Sequence, residues 1–115
     1  MITELINEFR RQNGVAPFYH WNGVENQYCE AHCLEMVRQC KCIHTEFYYL
    51  LHRAEAVSKW YWDWDLKHTV SSMIWDPKEG FAGSPRHKAV LLMSNVAYGV
   101  QVNNGVVYLT IRGWE

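Results

Sequence analysis

His87 is a candidate functional residue because of its place in a predicted helix. Ser84 and Pro85 are typical of the N-cap and of the first position of a helix. They place His87 at the third helical position, where the positive end of the helix dipole opposes protonation of the imidazole. A neutral imidazole can bind a metal ion or accept a proton. His87 is therefore a candidate ligand or base, although a lone histidine in a first helical turn is more often structural.

Two cysteines and a histidine offer a second candidate site. Cys29, His32 and Cys33 fall within about one turn of a predicted helix, and thiolates and imidazoles bind zinc. The two cysteines also share an apolar stripe with Met36 and Cys40, and free cysteine is among the most buried residue types. The stripe favours a place in the core over a metal site. The spacing of the four cysteines does not indicate a disulfide framework.

An aromatic run contains Trp60, Trp62 and Trp64 within five residues. Exposed, these rings would form a stacking platform for sugars or a hydrophobic lip that grips a lipid or a partner. The alternative is core filling, in a chain that is 15% aromatic. We expect at least two of the rings of this run to lie in the core and leave one or two as candidates for exposure.

The elements that must position these residues follow from apolar spacing. Four apolar residues from Ile2 to Phe9 recur at i, i+3, i+4 and i+7 and predict a first helix, which Asn13-Gly14 closes. A second helix is predicted from about Val24 to Cys40. Two more are predicted further along the chain: a third beginning near Asp65, and a fourth beginning at Pro85 with the face Ala89, Leu92, Met93 and Val96.

The remaining segments predict connections and a hairpin. Val15 to Trp21 reads as an extended connection with buried side chains, and Ala54 to Lys59 as a short helical turn. Tyr98 to Val102 and Val106 to Ile111 flank a turn at Asn103-Asn104-Gly105, which predicts an antiparallel hairpin. With no alternation of strands and helices, the fold class is α+β with a mainly antiparallel sheet.

Length and composition narrow the classes of protein. The 115 residues suit one domain, 1–115, and 49% apolar with 20% charged residues is ordinary globular usage. A net charge of -1 gives no general attraction for nucleic acid. No run of residues predicts a transmembrane helix, and the segment after Met1 does not resemble a signal peptide. A cytoplasmic location, or one reached with a signal since removed, is expected on this ground.

Short motifs lie in a fixed order along nearly the whole chain: Leu5 to Arg10 with Gly14 and Trp21, then Ala31-His32, Met36 and Ile43-His44-Thr45, then Ala54-Glu55, Trp75, Ser84 to Ala89, and Tyr98-Gly99-Val100. In this order they resemble the motifs of the CAP superfamily of cysteine-rich secretory, antigen 5 and pathogenesis-related 1 proteins, in its minimal bacterial form. Ser84-Pro85-Arg86-His87-Lys88-Ala89 after a tryptophan is the most specific of them. The resemblance implies an α-β-α sandwich in which about four helices flank a small antiparallel sheet.

The resemblance also implies a cleft lined by two histidines and acidic residues, which in several members of the family holds a divalent metal, often zinc. Residue by residue, it carries His44 and His87 over as metal ligands and Glu55 as an acidic residue of the cleft. A second acidic position follows the tryptophan in many members. Glu79 is our candidate for it, with Asp76 in reserve.

The function implied first is a binding module whose cleft takes a divalent cation or a small polar ligand, without established catalysis. An alternative is a metal-dependent hydrolase of peptide or cell-wall substrates, with Glu55 as general base. A further alternative is lipid or polysaccharide binding through Trp60 to Trp64. The same cluster could instead be a polar network that only holds loops in register. Members of the family are mostly extracytoplasmic, which implies an extracellular or cell-envelope location.

Overall fold

The computed structural model describes residues 2–19, 23–45, 54–61 and 85–115. In chain order these ranges form α1 (Ile2–Gln12), α2 (Val24–Gln39), β1 (Ala54–Tyr61), α3 (Pro85–Leu91), β2 (Asn95–Asn103) and β3 (Val106–Trp114). The strands make one antiparallel sheet in the order β1-β3-β2. The predicted mixture of helices with an antiparallel sheet is confirmed. In the described part of the chain, no helix has the length and apolar character needed to cross a membrane.

The predictions of α1, α2 and the terminal hairpin are confirmed. Ile2, Ile6 and Phe9 bury the predicted stripe of α1, and Gly14 leaves the helix with a φ of 71°. In the hairpin, β2 turns into β3 through Asn104 and Gly105, which both have positive φ. Asparagine and glycine tolerate this conformation better than other residues, which explains why the turn could be read from the sequence.

The core prediction for α2 is confirmed except at its end. Cys29, Cys33 and Met36 are fully buried, whereas Cys40 is exposed. The helix ends one residue earlier, at Gln39, and Cys40 turns into the left-handed region with a φ of 52°. This turn takes Cys40 off the stripe, so its predicted place in the core was wrong.

Helices cover both faces of the sheet. On one face, Cys33 and Met36 of α2 pack against Tyr108 of β3. On the other face, residues of α1 and α3 join the alternate residues of the strands in the larger core cluster: Ile2, Ile6, Phe9, Phe18, Ala56, Val90, Leu91, Val96, Tyr98, Val107, Leu109 and Ile111. Because side chains alternate along a strand, β1 and β3 contribute to both clusters, whereas the apolar residues that β2 contributes belong to the larger one.

Helix α2 also protects the outer edge of β2. The Nδ2 of Asn26 donates to the carbonyl of Tyr98 at 3.2 Å, and Oε1 of Glu30 accepts from the N–H of Val100 at 3.0 Å. These two side chains lie one helical turn apart and occupy backbone groups that could otherwise pair with another strand. The contacts fix α2 along β2.

Two further local predictions differ from the structure. Ala54 to Lys59 is not a helical turn but most of β1, which pairs with β3 along its whole length. Pairing with a distant strand outweighs the weak local preference for helix. In the described part of the predicted connection, 15–19, only Phe18 is buried and Tyr19 is 82% exposed, so the expectation of buried side chains holds there only for Phe18. Trp21 lies outside the described residues.

The start of the last helix at Pro85 is confirmed, but its predicted face was wrong. Helix α3 ends at Leu91, and among its residues with described side chains, 88–91, Val90 and Leu91 are buried whereas Ala89 is exposed. The Nη1 of Arg10 donates to the carbonyls of Leu91 and Met93, at 2.8 and 2.6 Å, which satisfies backbone groups where the helix ends. The predicted third helix, from Asp65, lies outside the described residues.

Candidate functional site

The register of β1 against β3 places a buried ion pair at the start of β1. Glu55 lies directly opposite Arg112 on the face that α2 covers. The Nε of Arg112 donates to Oε2 of Glu55 at 3.0 Å, and neither side chain is more than 3% exposed. A second carboxylate, Oε2 of Glu25 in the first turn of α2, lies 3.5 Å from Nη1 of Arg112. One guanidinium therefore connects β3 to both β1 and α2.

Thr45 completes the hydrogen bonding of Glu55. Its backbone N–H donates to Oε1 at 2.7 Å, and its hydroxyl donates to Oε2 at 2.6 Å. The hydroxyl oxygen also accepts from Nη2 of Arg112 at 2.8 Å. The segment that follows α2 is thus attached to β1 and β3 at Thr45.

His44 is the exposed member of this cluster. Its Nδ1 lies 3.1 Å from Oε1 of Glu55, and its side chain is 48% exposed. Beside a carboxylate, the neutral imidazole is expected to carry its proton on Nδ1 and its lone pair on Nε2. Glu55 therefore sets both the orientation of the ring and the identity of its basic nitrogen. In many metal sites, a ligating histidine donates its other ring N–H to a carboxylate in this way.

The environment of Glu55 favours its ionised form. Burial alone would raise the pKa of this carboxyl group, but the hydrogen bonds from Thr45, Arg112 and His44 outweigh burial and lower the pKa below its usual value. Both oxygens already accept hydrogen bonds. Such a carboxylate is well suited to orient a neighbour and poorly suited to take up a proton.

The structure brings together two of the predicted site residues, His44 and Glu55. His87 occupies the third position of α3, as predicted, but the placement of its side chain lies outside the description. Glu79, Asp76, Trp62 and Trp64 lie outside the described residues, as does the side chain of Trp60. Within the described ranges, no group of three or more His, Cys, Asp or Glu side chains is arranged to hold a metal ion.

The core interpretation of Cys29 and Cys33 is confirmed by their burial. Burial raises the pKa of Cys29 to about 12 and that of Cys33 to about 11, so both remain thiols at neutral pH. His32, which the sequence places beside them, has its Nε2 2.6 Å from the carbonyl oxygen of Ile43. This contact ties α2 to the segment that carries His44.

Sequence reasoning missed the role of Arg112. The only available signal in the sequence was its position, because this charged residue directly follows an apolar run. The structure shows that the side chains at this end of β3 are buried. A buried arginine needs a carboxylate partner. The sequence could not show which one, because Glu55 is brought opposite Arg112 only by the register of the sheet.

Glu25 also lines a cavity of about 450 Å³. The cavity is bordered by Phe18, by the first turn of α2, by the start of β2 and by Trp114. Because Glu25 lines this cavity and pairs with Arg112, the ion-pair cluster extends from the cavity wall to His44.

No known protein-family model matches this chain, and no curated protein matches it.

Proposed function

We propose that this chain is a CAP-type binding domain in which His44 and His87 bind a divalent cation, such as Zn²⁺, or a small polar ligand. One observation carries the proposal: Glu55, fixed by Arg112 and Thr45, holds Nδ1 of the half-exposed His44. Helices on both faces of an antiparallel sheet, and a histidine in the first turn of α3, agree with the arrangement that the motif resemblance implies.

The donor set fits such an ion in a specific way. His44, with its lone pair on Nε2, would be a ligand, and His87 is its proposed partner. Glu55 would support His44 from behind, because both its oxygens accept hydrogen bonds from protein groups. When bound, the ion would supply a charge that attracts anionic or polar groups of a ligand.

The environment of Glu55 favours a positioning role over that of a general base. The alternative role for Glu55 is that of a general base, which works best with a pKa near the operating pH. Hydrogen bonds instead lower the pKa of this carboxyl group. Glu55 is therefore proposed as a positioning residue, and a binding module remains the preferred function.

The test is a calorimetric titration of the metal-stripped protein with zinc at neutral pH. We expect binding in the wild type and its loss in both His44→Ala and His87→Ala. Glu55→Gln should keep binding but weaken it by about 10- to 100-fold, as is usual when the partner of a ligating histidine is removed. Near-UV circular dichroism of each variant controls for folding. Binding that survives both histidine substitutions would disprove the proposal.

A further inference from the structure

Two of the four thiols belong to exposed residues that are close in sequence. Cys40 and Cys42 are both exposed and both free, and only Lys41 separates them. Cys29 and Cys33, by contrast, are fully buried in the contact between α2 and the sheet. The chain therefore carries one buried and one accessible pair of thiols. Only the accessible pair can meet a ligand without unfolding.

The first of these thiols is held by the end of α2. The N–H of Cys40 donates to the carbonyl of Val37 at 3.2 Å, and the N–H of Lys41 donates to that of Met36 at 3.1 Å. Crossed bonds of this kind close a helix over a residue in the left-handed region. The backbone of Cys40 is thus fixed at the end of α2, a helix of about four turns.

The second thiol is held from the other side. Ile43, the residue after Cys42, is tied through its carbonyl to His32 of α2, at 2.6 Å. Nζ of Lys59, on β1, donates to the carbonyl of Cys40 at 3.2 Å. The segment between the two anchors is short, so the backbone of Cys40 and Cys42 has little freedom. A preorganised pair of ligands binds more tightly than a mobile one, because less entropy is lost.

We propose that Cys40 and Cys42 form a two-thiolate surface site for a soft cation, with Cu(I) as the matching ion. Thiolates select Cu(I), which is satisfied by two sulfur ligands, whereas a structural zinc site built on thiolates takes four protein ligands. Binding releases two thiol protons to solvent and changes no oxidation state. The resulting complex carries one net negative charge, and the ammonium groups of Lys41 and Lys59 lie on the same segment and on the adjoining strand.

The test is a titration of the reduced full chain with Cu(I), without oxygen, in competition with the coloured chelator bicinchoninic acid. We expect one Cu(I) per chain. Cys40→Gly and Cys42→Ser should each weaken binding by about 100-fold or more. In each variant the remaining thiol binds Cu(I) without a second thiol held nearby at high effective concentration. Glycine suits the left-handed position of residue 40, so the first variant keeps the fold.

His44→Ala separates this site from the proposed zinc site. It should leave Cu(I) affinity unchanged while it removes zinc binding, whereas the two cysteine variants should leave zinc binding unchanged. Cu(I) affinity that stays within a few fold of wild type in either cysteine variant would overturn the proposal. So would one equivalent of Cu(I) retained by the double variant, because the ion would then bind elsewhere.

Discussion

Arg112 is buried between two carboxylates, Glu55 on β1 and Glu25 on α2. A buried ion pair contributes stability only if further hydrogen bonds satisfy its polar atoms, because removing charges from water is costly. Thr45 supplies these bonds to both Glu55 and Arg112. The cluster therefore stabilises the contact of two strands, a helix and the segment that bears His44. The same groups that orient His44 also hold the fold at this point.

Replacing Glu55 tests this double role. Glu55→Gln keeps the size of the side chain but removes its charge, and should lower the free energy of unfolding by about 2–3 kcal/mol at neutral pH. Urea denaturation followed by circular dichroism measures the change. The exposed Glu8 pairs with Arg11 in α1, and Glu8→Gln is the matched control. It should leave stability nearly unchanged, because solvent screens that pair.

The pH dependence of the same variant gives a second reading. The pKa of Glu55 is lowered in the folded state from an ordinary value of 4.5. The contribution of the Glu55 carboxylate to the free energy of unfolding is therefore complete above about pH 4.5, and it is lost as the pH falls through the folded-state pKa. The difference between wild type and Glu55→Gln should shrink in acid. A difference that stays constant from neutral pH into acid would contradict the lowered pKa.

At the scale of elements, the contact of α2 with β2 depends on the absence of a side chain at one position. A Cβ built on Gly99 would come within 2.7 Å of the carbonyl carbon of Cys29 and would also meet the backbone of Glu30. These are main-chain atoms of α2, so no side-chain rearrangement can relieve the clash. The helix must move away from the sheet to admit even one methyl group.

Gly99→Ala should therefore destabilise the fold much more than alanine at a glycine that has a positive φ but open space around it. We expect it to lower the free energy of unfolding by about 3 kcal/mol or more, through overpacking between two backbones. Gly14→Ala is the control, because Gly14 has a φ of 71° but no atom near its added Cβ. It should cost only about 1 kcal/mol of left-handed strain. Equal costs in chemical denaturation would refute the close approach of α2.

At the scale of the whole molecule, the sequence predicts those parts whose cause is local. The stripe of α1 and the Asn104-Gly105 turn are set by residues a few positions apart, and both were predicted correctly. β1 was missed because its pairing depends on β3. That strand begins at Val106, 45 positions after β1 ends at Tyr61. No local pattern in Ala54 to Tyr61 specifies that partner.

The candidate site shows the same division. His44 and Glu55 came from motif resemblance, and the structure places them in contact. The hydrogen bonds from Arg112 and Thr45 could not be predicted, because they depend on the register of β1 against β3 and on the path of the chain after α2. What the sequence lacked was the set of long-range contacts that give Glu55 its chemistry.

Those long-range contacts meet in β3, which leads to a prediction about the stability of the whole fold. β3 pairs with a strand on each side, and its residues from Val107 to Gly113 are buried under helices on both faces. We therefore expect its amides to exchange only when the sheet opens as a whole. Hydrogen exchange measured by NMR should therefore be slowest at Leu109 and Ile111, and faster at Val102, which is 51% exposed near the turn.

The comparison with β1 makes that measurement decisive. If β1 were a loosely attached edge, its amides would exchange well before those of β3, and the Glu55–Arg112 pair would open with it. Because Glu55 is bound by Thr45 and by Arg112, we expect the amides at the Glu55 end of β1 to be more protected than those at the Tyr61 end. Uniformly fast exchange along β1 would mean that the ion-pair cluster does not hold the edge strand. The orientation of His44 would then be transient, and the proposed binding site with it.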